Sequence, residues 1–205
     1  MTNHFFRHAL GGLVFGLGVL VNTSPANAIP ILQVNGSGIL TGALGVQVGG
    51  SLYNVQFVEG SCNSLFNSCN PTDFDFPSLA LADAASSALL TQVFIDSVLG
   101  DFDSRPELTF GCSLVLAMVC SASTPYAAVG TNVSLSNARN LANTGLDVVT
   151  HPVITADVDS STQLAAVFAV WSPVPEPATI TLLGAGLLAL VFDRRRRKLK
   201  HDLTQ

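Results

Sequence analysis

Fifteen consecutive residues near the C-terminus, Ala178 to Phe192, carry no charged side chain, and Asp193 and then four arginines, Arg194, Arg195, Arg196 and Arg197, follow at once. In lipid such a stretch must satisfy its backbone internally, which leaves a helix as its only single-segment solution. Pro173, Pro175 and Pro177 stand immediately before it, and proline cannot continue a helix, so the helix is expected to start at about Ala178 and run to about Phe192. Its length is about 22 Å, short of a hydrocarbon core of about 30 Å. It therefore needs snorkelling arginines or a locally thinned bilayer, and makes a weak permanent anchor. Arg194, Arg195, Arg196 and Arg197 are expected to act as the stop-transfer signal, holding the tail 193–205 in the cytoplasm and everything before Pro173 on the other side.

The N-terminus reads as a second address. Arg7 lies in a short polar start, Ala9 to Val21 is an apolar run, and Asn22 to Ala28 ends in Ala26-Asn27-Ala28. A run of that length is too short to span comfortably, and small residues at the first and third positions before a cut are what a signal peptidase admits. Residues 1–28 are thus expected to be a signal peptide cleaved after Ala28, leaving Ile29 as the first residue of the exported chain. Signal peptidase and Sec-type export machinery are the implied partners.

The triplet Pro175-Glu176-Pro177, the short apolar run with Gly184 and Gly186 inside it, and the terminal arginine cluster occur in that order within 174–205. Together with the N-terminal signal they resemble the PEP-CTERM proteins of Gram-negative or cyanobacterial cells. The resemblance implies a sorting signal in which Pro175, Glu176 and Pro177 are read by an exosortase, a membrane protease or transpeptidase that removes the anchor near the triplet. It implies transient membrane attachment with the passenger on the periplasmic side, then a cell-surface or extracellular location, in company with exopolysaccharide and biofilm production. It says nothing of what the passenger does.

The passenger, 29–173, has two basic residues, Arg105 and Arg139, against eleven carboxylates, a net of −9. No basic surface is available to displace counterions from phosphates, which argues against nucleic acid as a partner. All four cysteines, Cys62, Cys69, Cys112 and Cys120, lie in this segment, where an oxidising compartment lets disulfides persist. Their spacing matches no CxxC redox or zinc pattern. Three pairings are open; the local ones, Cys62 with Cys69 and Cys112 with Cys120, are favoured because each closes a short loop, and geometry decides.

Val46 and Val48 alternate before Gly49-Gly50, and Tyr53, Val55 and Phe57 alternate after it, the pattern of a hairpin. A helix is expected from about Ser78, placed to cap, to Leu99, with Gly100 placed to stop it. Further strands are expected at Leu108 to Phe110, Leu114 to Cys120, Ala127 to Leu135, Leu146 to Thr150, Val153 to Val158 and Gln163 to Trp171. The fold class is α+β or mainly β: one antiparallel-sheet or sandwich-like domain with one packed helix, flanked by the signal helix and the C-terminal membrane helix.

Chemistry is harder to place. The passenger holds no zinc-helix, nucleophile-elbow or phosphate-loop motif. Its one histidine, His151, has no acid or base partner assignable from sequence. Three Asp-x-Asp pairs occur, at 73/75, 101/103 and 157/159; of these Asp101, Asp103, Asp157 and Asp159 are the candidate Ca²⁺ ligands or paired carboxylates, against solvated turn residues. The single tryptophan, Trp171, and the isolated Tyr53 and Tyr126 form no sugar-stacking platform. The reading is an exported, disulfide-stapled, non-enzymatic envelope or matrix protein without a cofactor. The alternatives are a secreted hydrolase acting on extracellular polymer and an adhesin module that binds sugar or Ca²⁺.

Overall fold

The computed structural model describes residues 29–112, 118–142 and 147–175, with Gly184 and Gly186 as isolated helical positions. The expected signal peptide, the rest of the expected membrane helix and most of the strand expected at Leu114 to Cys120 lie outside the described residues. So do the four arginines of the expected stop-transfer signal, Arg194, Arg195, Arg196 and Arg197. Among the described residues no helix is long and apolar enough to cross a membrane.

The fold is mainly β. Strands β1 (Ile31–Val34), β2 (Leu40–Val48) and β3 (Ser51–Val58) form an antiparallel meander. The turn between β2 and β3 is Gly49-Gly50, with φ of 57° and 91°, the left-handed backbone that glycine adopts without steric cost. Helices α1 (Cys62–Leu65) and α2 (Leu79–Gln92) follow, then a minimal hairpin of β4 (Asp96–Ser97) and β5 (Gly100–Asp101). The long hairpin of β6 (Val119–Val129) and β7 (Asn132–Leu141) comes next, then β8 (Val148–Thr150), β9 (Val153–Thr155) and β10 (Ala166–Pro173). The sheet order is β1-β2-β3-β10-β6-β7, with β8 and β9 both on the outer edge of β7.

This is one large sheet rather than two facing each other, and it contains a parallel pair. The last strand inserts between β3, to which it is antiparallel, and β6, to which it is parallel. On the outer edge, Asn137 faces Thr150 and Ser134 faces Val153 in a single register. β8 and β9 are therefore one edge strand, interrupted where Pro152 accepts from the Leu135 amide at 3.0 Å but has no N–H to return. Proline is tolerated at a sheet edge for that reason.

Period-2 alternation along β10 supplies both faces of the sheet. Val167, Ala169 and Trp171 join the core beneath α2, while Phe168 joins a second cluster with Phe66, Phe74 and the Cys62–Cys69 bridge. The buried side of α2 is Ala82, Ala85, Ser86, Ala88 and Leu89, small enough for the helix to lie close on the sheet. Its far end is tied to β2 by the Gln92 amide, which accepts from the Gln47 N–H at 3.0 Å and donates to the Gln47 carbonyl at 2.9 Å.

Four local expectations are corrected. The helix starts as expected, with Ser78 Oγ accepting from the Leu81 N–H, but ends at Gln92 rather than Leu99. Val93 and Phe94 bury in the core, while Val98 and Leu99 form the exposed tip of the β4–β5 hairpin. Gly100 starts β5, and a Cβ there would meet the Phe102 ring at 2.6 Å. Leu108 to Phe110 is no strand: Pro106–Leu108 is a 3-10 turn and only Thr109 bridges to Leu40. Ala127 to Leu135 is no single strand either, because Gly130, at φ 61°, turns the chain from β6 into β7. Val153 to Val158 stops at Thr155, where the Ala156 amide turns to the Thr131 carbonyl.

Candidate functional site

The fold gives His151 a partner from 68 residues away. Its Nε2 lies 2.8 Å from Asp83 Oδ1 on α2, and the same carboxylate oxygen accepts a hydrogen bond from Ser136 Oγ of β7 at 2.7 Å. Ser86 Oγ, also on α2, donates to the Ser136 carbonyl at 3.0 Å. Ser86 and Ser136 are fully buried, while the Asp83 and His151 side chains are 35% and 44% exposed. A hydrolytic triad places the imidazole between carboxylate and hydroxyl, so that it can take the hydroxyl proton. Here the carboxylate stands in the middle and holds that proton's hydrogen bond itself. The arrangement pins α2 to β7 and its edge strand.

The paired aspartates occupy separate turns. Asp101 is on β5, and Asp103 follows it in the turn. Asp103 is raised from the usual carboxylate value by burial first, then by the charges of Asp147 and Asp96. Asp96 shifts the other way: its carboxylate accepts from the Ser104 amide at 3.1 Å, the Ser104 hydroxyl at 2.9 Å and the Asp103 amide at 3.0 Å, which favours the ionised form. Asp159 caps the 3-10 turn Ser160–Thr162 through the Ser161 amide at 2.9 Å and is likewise held low. Asp157 lies in the turn before it. Asp75 is raised by burial, and Asp73 closes the 3-10 turn Pro71–Asp73. Among the described residues no three His, Cys, Asp or Glu side chains gather as a metal-binding group.

These opposite shifts give opposite pH effects. A lowered carboxylate contributes stability above its unfolded value, about 3.9, and loses it as pH falls through its folded value; a raised one costs stability above its folded value and recovers as pH falls. Asp96→Asn is therefore expected to lower the melting temperature at pH 7, and Asp103→Asn, which resembles the protonated acid, to raise it. Both differences should shrink as pH falls, the Asp103 one as its raised folded value is passed and the Asp96 one only below the unfolded value, as its lowered folded value is passed. Thermal melts from about pH 2 to 7 check this, and an Asp103→Asn protein that melts below wild type at neutral pH would refute the assignment.

The C-terminal exit has the most specific geometry. Along β10, Trp171 faces Val55, Ser172 faces Asn54 and Pro173 faces Tyr53. The Val174 amide still donates to the Leu52 carbonyl at 2.9 Å. Pro175 is next, and exposed. The sheet thus runs up to the first residue of the proline triplet with no linker between. A family model described as the PEP-CTERM protein-sorting motif matches residues 173–197. The chain carries a PEP-CTERM sorting motif. The match takes in Pro175, Glu176 and Pro177, the apolar run and all of Arg194, Arg195, Arg196 and Arg197, ending on the last of them. It implies an exosortase as processing partner, and export with processing at the membrane. The PEP-CTERM match begins at Pro173, so motif and strand share that residue. No curated protein and no solved structure matches the chain.

The disulfides are Cys62–Cys69 and Cys112–Cys120, with Cα separations of 4.9 and 5.5 Å. Ile29, the expected first residue after signal cleavage, is exposed. Ala26 and Ala28 lie outside the described residues, as do Glu176, Pro177, Arg194, Arg195, Arg196 and Arg197. Trp171 is buried rather than offered to a ligand, its Nε1–H donating to Thr124 Oγ1 at 3.1 Å. Sequence reasoning misses Asp83 as the partner of His151 because nothing local joins a helix residue to a histidine so far along the chain.

Proposed function

We propose that this is a non-enzymatic envelope or matrix protein. It is exported by its N-terminal signal, held for a time by the helix after the Pro-Glu-Pro triplet, and released to the cell surface or exterior when an exosortase removes that helix. The passenger, 29–173, faces the periplasm while anchored, and its destination is an exopolysaccharide-rich matrix. The observation that carries the reading is the sorting motif at 173–197. Two disulfides support it, since such bridges persist in an oxidising compartment. The order of groups in the Ser136–Asp83–His151 pin supports a passenger without hydrolytic chemistry, because its imidazole is not placed to deprotonate the serine. In this scheme the chain is the enzyme's substrate.

The test is intact-mass analysis of medium and membrane fractions from exosortase-positive and exosortase-negative cells. The released species is expected to begin at Ile29, to lack the arginine cluster and to appear only when the exosortase is present. Replacing Pro175, Glu176 and Pro177 together by alanine should leave a membrane-bound chain that still ends at Gln205. Equal release of that variant, or release without the enzyme, would overturn the reading.

A further inference from the structure

An enzyme that cuts a peptide bond must grip the flanking backbone in an extended form, using the same N–H and C=O groups that a β-ladder already occupies. In this chain those groups are engaged almost to the triplet. Phe168 to Pro173 pair with β3 in an unbroken register, and the Val174 amide adds one more bond to Leu52. Within that stretch, Trp171 is buried, hydrogen-bonded to Thr124 and edge-on to Phe76 and Tyr53 at ring-centre distances of 5.4 and 6.3 Å. Pro175, exposed and without an N–H to offer the ladder, follows the last ladder bond among the described residues.

We propose that β10 sets the upstream limit of exosortase processing: the cut falls C-terminal to Val174, on a passenger that is already folded, and the released protein keeps β10 whole. The proposal rests on the sorting reading above and adds to it a boundary that the fold imposes. The tether supports the same limit. Three residues, Pro175 to Pro177, separate Val174 from the apolar run, and fully extended they reach about 10 Å. Until the cut, the end of the sheet that carries Leu52 and the Gly49-Gly50 turn is therefore held at the bilayer surface. The enzyme must work in that gap, because bonds further upstream become accessible only by peeling β10 away from β3.

Two measurements in an exosortase-positive host test it. C-terminal peptide mass spectrometry of the released wild-type protein should find its last residue at Pro175 or beyond; a last residue at or before Val174 overturns the limit while leaving the sorting reading intact. Deleting Ser172, Pro173 and Val174 brings the triplet against Trp171. Release should then fall roughly tenfold or more, the factor that about 1.4 kcal/mol of peeling adds to a barrier. Replacing the same three residues with Gly-Ser-Gly should keep release near wild type. Circular dichroism and thermal melts establish that both variants are folded. A folded deletion variant released at the wild-type rate overturns the proposal. A wild-type chain that stays in the membrane and ends at Gln205 overturns the sorting reading and the limit with it.

Discussion

Replacing Trp171 with alanine is expected to lower the free energy of unfolding by about 3–5 kcal/mol, the usual cost of truncating a large buried aromatic side chain. The residue is 5% exposed and sits on β10, the strand inserted between the two halves of the sheet. Its ring meets Phe76 nearly at right angles, at 85°, and Tyr53 at 90°, the edge-to-face geometry that aromatic quadrupoles favour. Truncation empties that corner and leaves Thr124 Oγ1 without its indole donor. Trp171→Phe keeps most of the volume and should cost far less, about 1–2 kcal/mol from the lost hydrogen bond and an imperfect fill. Urea unfolding followed by circular dichroism is the right measurement, since fluorescence would lose the chain's single tryptophan. A loss below about 1 kcal/mol for the alanine variant would mean that the core closes over the gap and that β10 is not the keystone its position implies.

How much of this is legible in the sequence depends on how far apart the partners lie in the chain. The β2–β3 hairpin can be read because alternation and two glycines are neighbours in sequence, and the helix start because Ser78 caps within three residues. The C-terminal sorting motif is legible in composition, since its triplet, apolar run and arginine cluster are contiguous. The helix end is hidden because Leu89, Leu90, Val93, Phe94 and Val98 continue a helical spacing past the point where the chain turns. What breaks the helix is partly non-local: the Asp96 carboxylate binds the amides of Asp103 and Ser104, closing a turn that competes with a further helical turn. The parallel β6–β10 pairing joins Ser121 to Ala166, and no local pattern announces such a contact. The Asp83–His151 pin is invisible for the same reason. Gly130 between Val129 and Thr131 is the one short signal for the β6–β7 turn, and the run of strand-forming residues on either side conceals it.

Reduction of both disulfides is expected to remove about 5 kcal/mol of stability, enough to unfold a domain whose whole margin is typically about 5–15 kcal/mol. The bridges span sequence separations of 7 and 8 residues, and loop-closure entropy for loops of that size gives about 2.5 kcal/mol each. Their positions make the two losses different in kind. Cys112 and Cys120 are wholly buried in the core beneath α2, so Cys112→Ala with Cys120→Ala should loosen the start of β6 and show as a lower global unfolding midpoint. Cys62–Cys69 closes the loop over the opposite face, and that loop holds three consecutive non-glycine residues in left-handed backbone, Asn67, Ser68 and Cys69 at φ 44°, 63° and 56°. Such residues cost about 1–2 kcal/mol each and persist only where the surroundings hold them. Removing this bridge frees them to relax, which lifts Phe66 and Phe74 from Phe168 and should expose amides 61–75 to hydrogen exchange before the sheet opens. Urea titrations with and without reductant give the total, and exchange on each alanine pair separates local from global loss. The same arithmetic ties folding to an oxidising compartment: a chain made without residues 1–28 and kept in a reducing cytosol should be largely degraded, whereas the same chain delivered to an oxidising compartment accumulates. A midpoint unchanged by reductant would remove that link and leave the sheet's own packing as sufficient.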